Sequence, residues 1–305
     1  MSEQSADSPI IDAGNVPIHT GATGIPEQDW SLKYNGLSIH DDVEYVEWYQ
    51  PGEFYPLDLG ETINDRFEVI HKLGHGGVAT VWLCWDLQTK RWRALKINSA
   101  GHSSPDCPDM KFIKHIGGQS PGSGQLGRDH IMLPLETFFL DSPNGTHLCS
   151  ILPVAGPKLT DWRRVLENDF NRVKRISHQL VEGLAFLHSR GICHGDFRPD
   201  NVLMKLKPGC LDHIGPEEMR ALLGEAIREP VLTCDGDRSP HAPRYCYIPF
   251  NFLACPRMIS DDIAIVDFGE TYEADNPPPG DTKHPRPICG PGIPVRWRTP
   301  CLKFT

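Results

Sequence analysis

The chain has 305 residues, of which 39% are hydrophobic, with 28 glycines, 28 prolines and a formal net charge of −10. That length admits one large domain or two modest ones, and the acidic balance argues against general nucleic-acid binding and against attraction to anionic membranes. No run approaches the ~20 apolar residues of a membrane span. The start, Met1-Ser2-Glu3-Gln4-Ser5, lacks the basic-then-apolar pattern of a secretory signal. The ten cysteines form no C-x-x-C pair and no zinc-ligand spacing with histidine. The expectation is a reduced, soluble protein of the cytosol or nucleus.

Residues 1–44 are polar and without a sustained period, which predicts a disordered or loosely packed leader. From Tyr45 the chain turns aromatic, and at Phe67 regular structure begins. Phe67, Val69, His71 and Leu73 alternate with their neighbours, as do Val81, Leu83 and Trp85 and then Leu95 and Ile97, predicting three antiparallel strands. A short helix is expected from Pro108 to Ile116, with proline in its first turn and Gly117-Gly118 at its end. Two more strands, Ile131 to Leu140 and His147 to Leu152, flank a Ser-Pro-Asn-Gly turn.

The period then changes. Val173, Ile176, Leu180, Leu184 and Leu187 recur at helical spacing, and Gly191 follows as a cap. From about Lys205 to Asp262 the chain is rich in glycine and proline, with one helical patch from Pro216 to Ile227, and reads as a surface insertion. A strand-rich first half joined to a helical second half implies two lobes.

Four motifs fall in order on this scaffold. Gly74-His75-Gly76-Gly77 followed by Val81 forms a glycine turn whose backbone N–H groups can approach phosphate oxygens. On the next strand Ala94 and Lys96 face one side, a small roof and an ammonium. In His194-Gly195-Asp196-Phe197-Arg198-Pro199-Asp200-Asn201, Asp196 suits a base for a hydroxyl proton, Arg198 could neutralise a phosphoryl group, and Asn201 offers an amide oxygen to Mg²⁺. Ile265-Val266-Asp267-Phe268-Gly269 is a strand running into a carboxylate that can hold Mg²⁺. Each has a plain reading, as a hairpin, a solvated strand end or a strand-end turn, and their joint order carries the weight.

The set resembles the eukaryotic-type protein kinases, and within them the SR-protein-kinase family. Tyr55-Pro56-Leu57-Asp58-Leu59-Gly60, Val81-Trp82-Leu83, Asp129-His130, Asn144-Gly145-Thr146-His147-Leu148-Cys149 and Gly292-Ile293-Pro294 carry that likeness. The resemblance implies an α+β, two-lobed kinase-like fold with an antiparallel sheet in the N-lobe (45–156) and a mainly helical, incomplete C-lobe (157–305), with a spacer-like insertion at 205–262. It implies ATP and Mg²⁺ as cofactors and Arg/Ser-rich splicing factors as protein substrates, with no direct nucleic-acid contact. Gly74, Gly76, Gly77 and Lys96 would meet the phosphates, with Val81 and Ala94 beside the adenine and Pro153 and Ala155 on the hinge. Asp196 would be the base, with Asn201 and Asp267 on the metal.

Three departures stand out. Asp109 replaces the helix glutamate that pairs with the strand lysine, one C–C bond (roughly 1.5 Å) shorter, so the pair forms only if the helix moves inward. Gly195 removes the arginine that answers a phosphorylated activation loop. Arg298-Thr299-Pro300 is followed by five residues where the family has an acidic residue and several helices. Beside a serine/threonine kinase, two readings stay open: a truncated, weak or inactive nucleotide-binding protein, and a small-molecule phosphotransferase with a His-Gly-Asp loop.

Overall fold

A computed structural model describes residues 32–117, 126–167 and 169–277. The expectations for residues 1–31, Gly118, Gly292-Ile293-Pro294 and Arg298-Thr299-Pro300 lie outside these. The chain divides into two units, Met1–Leu32 and Lys33–Thr305, and the strands and helices of the described residues belong to the second.

The first lobe is a six-stranded antiparallel sheet of β1 (Thr62–Ile63), β2 (Phe67–His75), β3 (Ala79–Asp86), β4 (Arg91–Asn98), β5 (Glu136–Ser142) and β6 (Gly145–Leu152), in the order β1-β2-β3-β4-β6-β5. Leu57, Phe67, Trp82, Leu95, Ile97 and Ile151 build one of its cores. Between β4 and β5 lies α1 (Pro108–Gly117), as its proline start predicts. The strand expected from Ile131 begins only at Glu136. Pro134 lacks a ladder N–H, and Ile131 is already engaged in a parallel bridge to Ile265, with the Met132 N–H donating to the Ile265 carbonyl at 3.0 Å.

The second lobe is built of β7 (Ala155–Lys158), α2 (Leu159–Leu166), α3 (Phe170–Ser189), β8 (Ile192–Cys193) and β9 (Val202–Leu206), then, after α4 (Pro216–Leu223), β10 (Arg228–Pro230) and β11 (Tyr245–Tyr247), which pack on the first lobe, of β12 (Ile259–Ile265) and β13 (Tyr272–Glu273). The Asp169 side chain accepts from the Arg172 N–H at 3.0 Å to start α3, and Gly191, at φ +71°, ends it with its N–H on the His188 carbonyl. The buried face of α3 is Ile176, Gln179, Gly183, Phe186 and Leu187, whereas Val173, expected inside, is 40% exposed. Gly183 fits the rotation, because a Cβ there would stand 2.6 Å from Ile265 Cδ1 and 3.3 Å from His130 Cβ, so glycine lets α3 lie close to β12 without displacing them. Strands β12, β9 and β7 form a small sheet under the hinge, and β13 pairs with β8.

One further expectation differs from the structure. Residues 33–44, read as part of a disordered or loosely packed leader, are held in place together with the insertion 205–262, because each covers apolar surface of the first lobe with the other's help. Met219 of α4 is fully buried against Ile70, Leu83 and Trp92. Tyr34, Leu37, Val43, Val46, Tyr49 and Phe54 share a core with Val231 and Cys246. The Asp58 carboxylate accepts from the Arg244 and Tyr245 N–H groups, the Arg244 Nε–H and the Tyr247 hydroxyl. Lys72 of β2, fully buried, pairs with buried Glu44, which also accepts from the Tyr49 hydroxyl. Burial would raise the Glu44 pKa, but Lys72 and the Tyr49 hydroxyl outweigh it and hold the carboxyl below its usual range.

Candidate active site

The sheet presents its glycine turn and Lys96 to the cleft between the lobes. The Gly76 N–H donates to the Ala79 carbonyl at 2.8 Å, closing the turn. None of Gly74, Gly76 and Gly77 has a positive φ, and a Cβ at any of them would meet nothing within 4 Å. The chain itself therefore does not require glycine there, which leaves the space open to a ligand. Ala94 is buried, Val81 pairs with Lys96 across β3 and β4, and Leu152 of β6 lies opposite Ala94. Pro153 is exposed at the crossing between lobes, and Ala155 pairs with Lys205 in the second lobe's sheet.

Lys96 reaches both lobes. Its Nζ stands 3.0 Å from Asp267 Oδ1 and 3.5 Å from Asp109 Oδ1. The shorter carboxylate of Asp109 does reach the lysine, because α1 sits inward with Phe112 stacked on Phe268 at 3.9 Å between ring centroids. Gly269 makes room for it, since a Cβ there would stand 3.3 Å from Asp109 Oδ2. Burial alone would lower the Lys96 pKa, but the Asp267 and Asp109 carboxylates reverse this and hold it above its usual value. The Lys96 charge in turn, opposed by burial, holds the Asp267 carboxyl below the usual carboxylate range. Asp267 is a non-glycine residue at φ +65°, an uncommon conformation that aims its side chain into the cleft, where it is 44% exposed.

The loop after β8 completes the site. The buried His194 ring faces the Val266 carbonyl through Nε2 at 3.1 Å and accepts the Asp196 N–H at Nδ1, 3.3 Å away. Asn201 Nδ2 donates to the Asp196 carbonyl and to Asp196 Oδ2, both at 2.8 Å, and Arg198 Nε lies 3.3 Å from the same Oδ2. Asp196 is thus oriented from two sides. Gly195 has φ +83°, and a Cβ there would overlap the Glu270 carbonyl, so the residues after Asp267 lie directly on this loop.

Of the expected site residues, Lys96 is brought to Asp267, and Asp196 to Arg198 and Asn201; Val81 and Ala94 neighbour Lys96 on β3 and β4, Gly74, Gly76 and Gly77 stand at the turn between β2 and β3, and Pro153 and Ala155 mark the crossing between lobes. Two cavities, of about 290 and 380 Å³, lie elsewhere and hold none of them. The sequence reading did not assign roles to His194, Phe112 or Gly269. Phe112 was findable, since it lies one helical turn from Asp109, but its stacking on Phe268 needs the fold.

Comparison with known proteins matches residues 67–211 to the protein kinase domain. SRSF protein kinase 3 from Mus musculus is 32% identical over 74% of this chain and 41% of its own length. The Homo sapiens protein of the same name is 34% identical over 67% and 35%. The chain belongs to the SR-protein-kinase family. Protein kinase dsk1 of Schizosaccharomyces pombe agrees, at 34% identity over 69% of this chain and 40% of its own. The chain thus spans about two fifths of the length of these relatives. A crystal structure of a kinase domain, PF14_0431, aligns over 74% of this chain and 57% of its own with a TM-score of 0.46 and 19% identity. The two-lobed kinase fold, with its sheet lobe and a reduced helical lobe, follows from the family and the topology together.

Proposed function

We propose that the chain binds MgATP and serves as the core of a serine/threonine kinase that phosphorylates serine in Arg/Ser-rich proteins. The observation that carries this is Lys96 bridging Asp109 and Asp267 beside an Asp196 held by Asn201 and Arg198. Asp267 and Asn201 suit Mg²⁺: the amide nitrogen of Asn201 is spent on Asp196, leaving its oxygen, and a carboxylate with an amide oxygen is a hard donor pair. Among the described residues no cluster of three or more His, Cys, Asp or Glu could hold a metal alone, which fits an ion whose other ligands are water and phosphate. When bound, the metal would neutralise phosphate charge. Lys96 would orient the nucleotide, the glycine turn would cover its phosphates, and Asp196 would accept the serine hydroxyl proton. The acidic chain suits an arginine-rich partner.

A second reading, nucleotide binding with weak transfer, is favoured by the outer face of α3. Phe170 is 79% and Val181 66% exposed there, so apolar surface of α3 is without cover among the described residues. The test is transfer of labelled γ-phosphate from ATP to an Arg/Ser peptide, an acidic peptide and a small aminoalcohol. Transfer confined to the Arg/Ser peptide and lost in Asp196→Asn is expected. Nucleotide binding without transfer selects the second reading, and transfer to the aminoalcohol overturns both.

A further inference from the structure

Among the described residues the backbone crosses between the lobes three times. The hinge, residues 152–155, is the first crossing. The chain leaves the second lobe again after β9 and reaches the first at Ile214, whose carbonyl accepts from the Trp92 indole N–H at 2.7 Å. It then wraps the sheet through α4, β10 and β11 and returns to β12 past residues 248–254. On this return the Phe250 N–H donates to the Lys72 carbonyl at 2.8 Å, two residues before the glycine turn. The Phe250 ring meets His71 of β2 and, at 5.2 Å, Phe252. Phe252 is only 3% exposed and lies beside β7, and Asn251 Nδ2 donates to Asp161 Oδ2 of α2 at 3.2 Å. Asn251 also caps the turn that follows, accepting from the Leu253 N–H. Where the outbound and return strands meet on the second lobe, the Lys207 N–H donates to the Met258 carbonyl at 2.7 Å.

One stretch of a few residues thus holds β2 at one end and α2 with β7 at the other. We infer that this return segment is a second tether between the lobes, with Asn251 and Phe252 as positioning residues that fix the spacing of Lys96 and Asp267. This rests on the nucleotide-binding reading above. A ligand that must touch both Lys96 on one lobe and Asp267 on the other binds more weakly when the lobes are free to separate, because closing them then costs part of its affinity. The single hinge of a two-lobed fold leaves that freedom, and the return segment removes it.

The experiment is titration calorimetry of MgATP into the full chain, well below its melting temperature. The proteins are the parent, Asn251→Ala, Asp161→Ala, the double variant, Phe252→Ala and Lys96→Met. Asn251→Ala and Asp161→Ala are each expected to weaken binding about three- to tenfold, the range one hydrogen bond supports. The double variant should be no weaker than the worse single one, since both remove one link. Phe252→Ala should weaken binding at least as much. Should it fail to fold, the Asn251–Asp161 pair still decides, because a residue serving stability alone would leave affinity unchanged in the folded protein. Affinities within twofold of the parent, or single losses that multiply in the double variant, overturn the tether provided Lys96→Met loses tenfold or more. If Lys96→Met also binds like the parent, or the parent does not bind, the nucleotide reading fails and the tether with it.

Discussion

Lys96 and Asp109 form an ion pair at 3.5 Å although the acid sits in the first turn of α1 and is one carbon shorter than glutamate. The helix is drawn in by the Phe112–Phe268 stack, and Gly269 clears the space beneath the carboxylate. Asp109→Ala should free α1 from β4 and weaken MgATP binding about three- to tenfold. Asp109→Glu should give no gain, since its longer side chain must crowd Gly269. Calorimetry on both variants checks this, and a tighter-binding Asp109→Glu would show that the geometry is limited by reach.

Gly195 stands where the family pattern has an arginine. Its φ of +83° and the overlap of any Cβ with the Glu270 carbonyl mean that a side chain must push the catalytic loop and the following segment apart. Gly195→Ala and Gly195→Arg should each cost roughly 1–3 kcal/mol, and in a domain of this size each kcal/mol lowers the melting temperature by about 2–4 °C. Thermal unfolding of the two variants is the measurement, and an unchanged midpoint in either contradicts the close approach.

His194 is satisfied as a neutral ring, with Nε2 facing a carbonyl and Nδ1 accepting an N–H. Burial, countered in part by the Val266 carbonyl, holds its pKa below the usual 6.5. Burial likewise lowers His71, His75 and His147. A histidine pKa lower in the folded than in the unfolded state gives stability that is whole above about pH 6.5 and declines as pH falls toward the folded value, because the unfolded chain takes up the extra proton first. The slope is about 1.4 kcal/mol per pH unit for each such proton. Asp267, depressed by Lys96, adds stability that declines only below the ordinary carboxylate range, so it does not slope between pH 7.5 and 5.5. The melting temperature should therefore hold from pH 7.5 to about 6.5 and fall from there to 5.5, and a profile flat over the whole interval would contradict the neutral, buried histidines.

Asp58 joins the segment before β1 to β11 through four donors. In Asp58→Ala the buried Tyr247 hydroxyl and the backbone N–H groups lose their partner, and each buried donor left unpaired costs about 1–3 kcal/mol. A drop of several degrees in the midpoint is expected. A variant that melts like the parent would mean that the insertion is not fastened there.

Much of the site was legible because its parts obey local rules. Strand alternation placed Ala94 and Lys96, a glycine turn announced itself between two strands, and the 3.6-residue period led into Asp196. The packing of 33–44 and 205–262 was not legible, because, apart from the helical patch at Pro216, neither segment has a period of its own. Tyr34, Tyr49 and Val231 find cover in one another, across up to about two hundred residues, and Tyr247 finds it against the sheet. The true buried face of α3 was hidden for a related reason: Gly183 and Gln179 look unsuited to a core until Ile265 and the backbone of Asp261 and Ile263 are set against them. The inward position of α1 needed the Phe112–Phe268 contact, which no spacing reveals.

The central claim is that Lys96 and Asp267, 3.0 Å apart across the cleft, hold MgATP between the lobes. Titration calorimetry of MgATP against the parent chain, Lys96→Met and Asp267→Asn tests it most directly. The account predicts saturable binding by the parent, at least tenfold weaker binding by Lys96→Met, and loss of the Mg²⁺ dependence in Asp267→Asn. Equal MgATP affinity in all three proteins, with Mg²⁺ dependence intact in each, would contradict it.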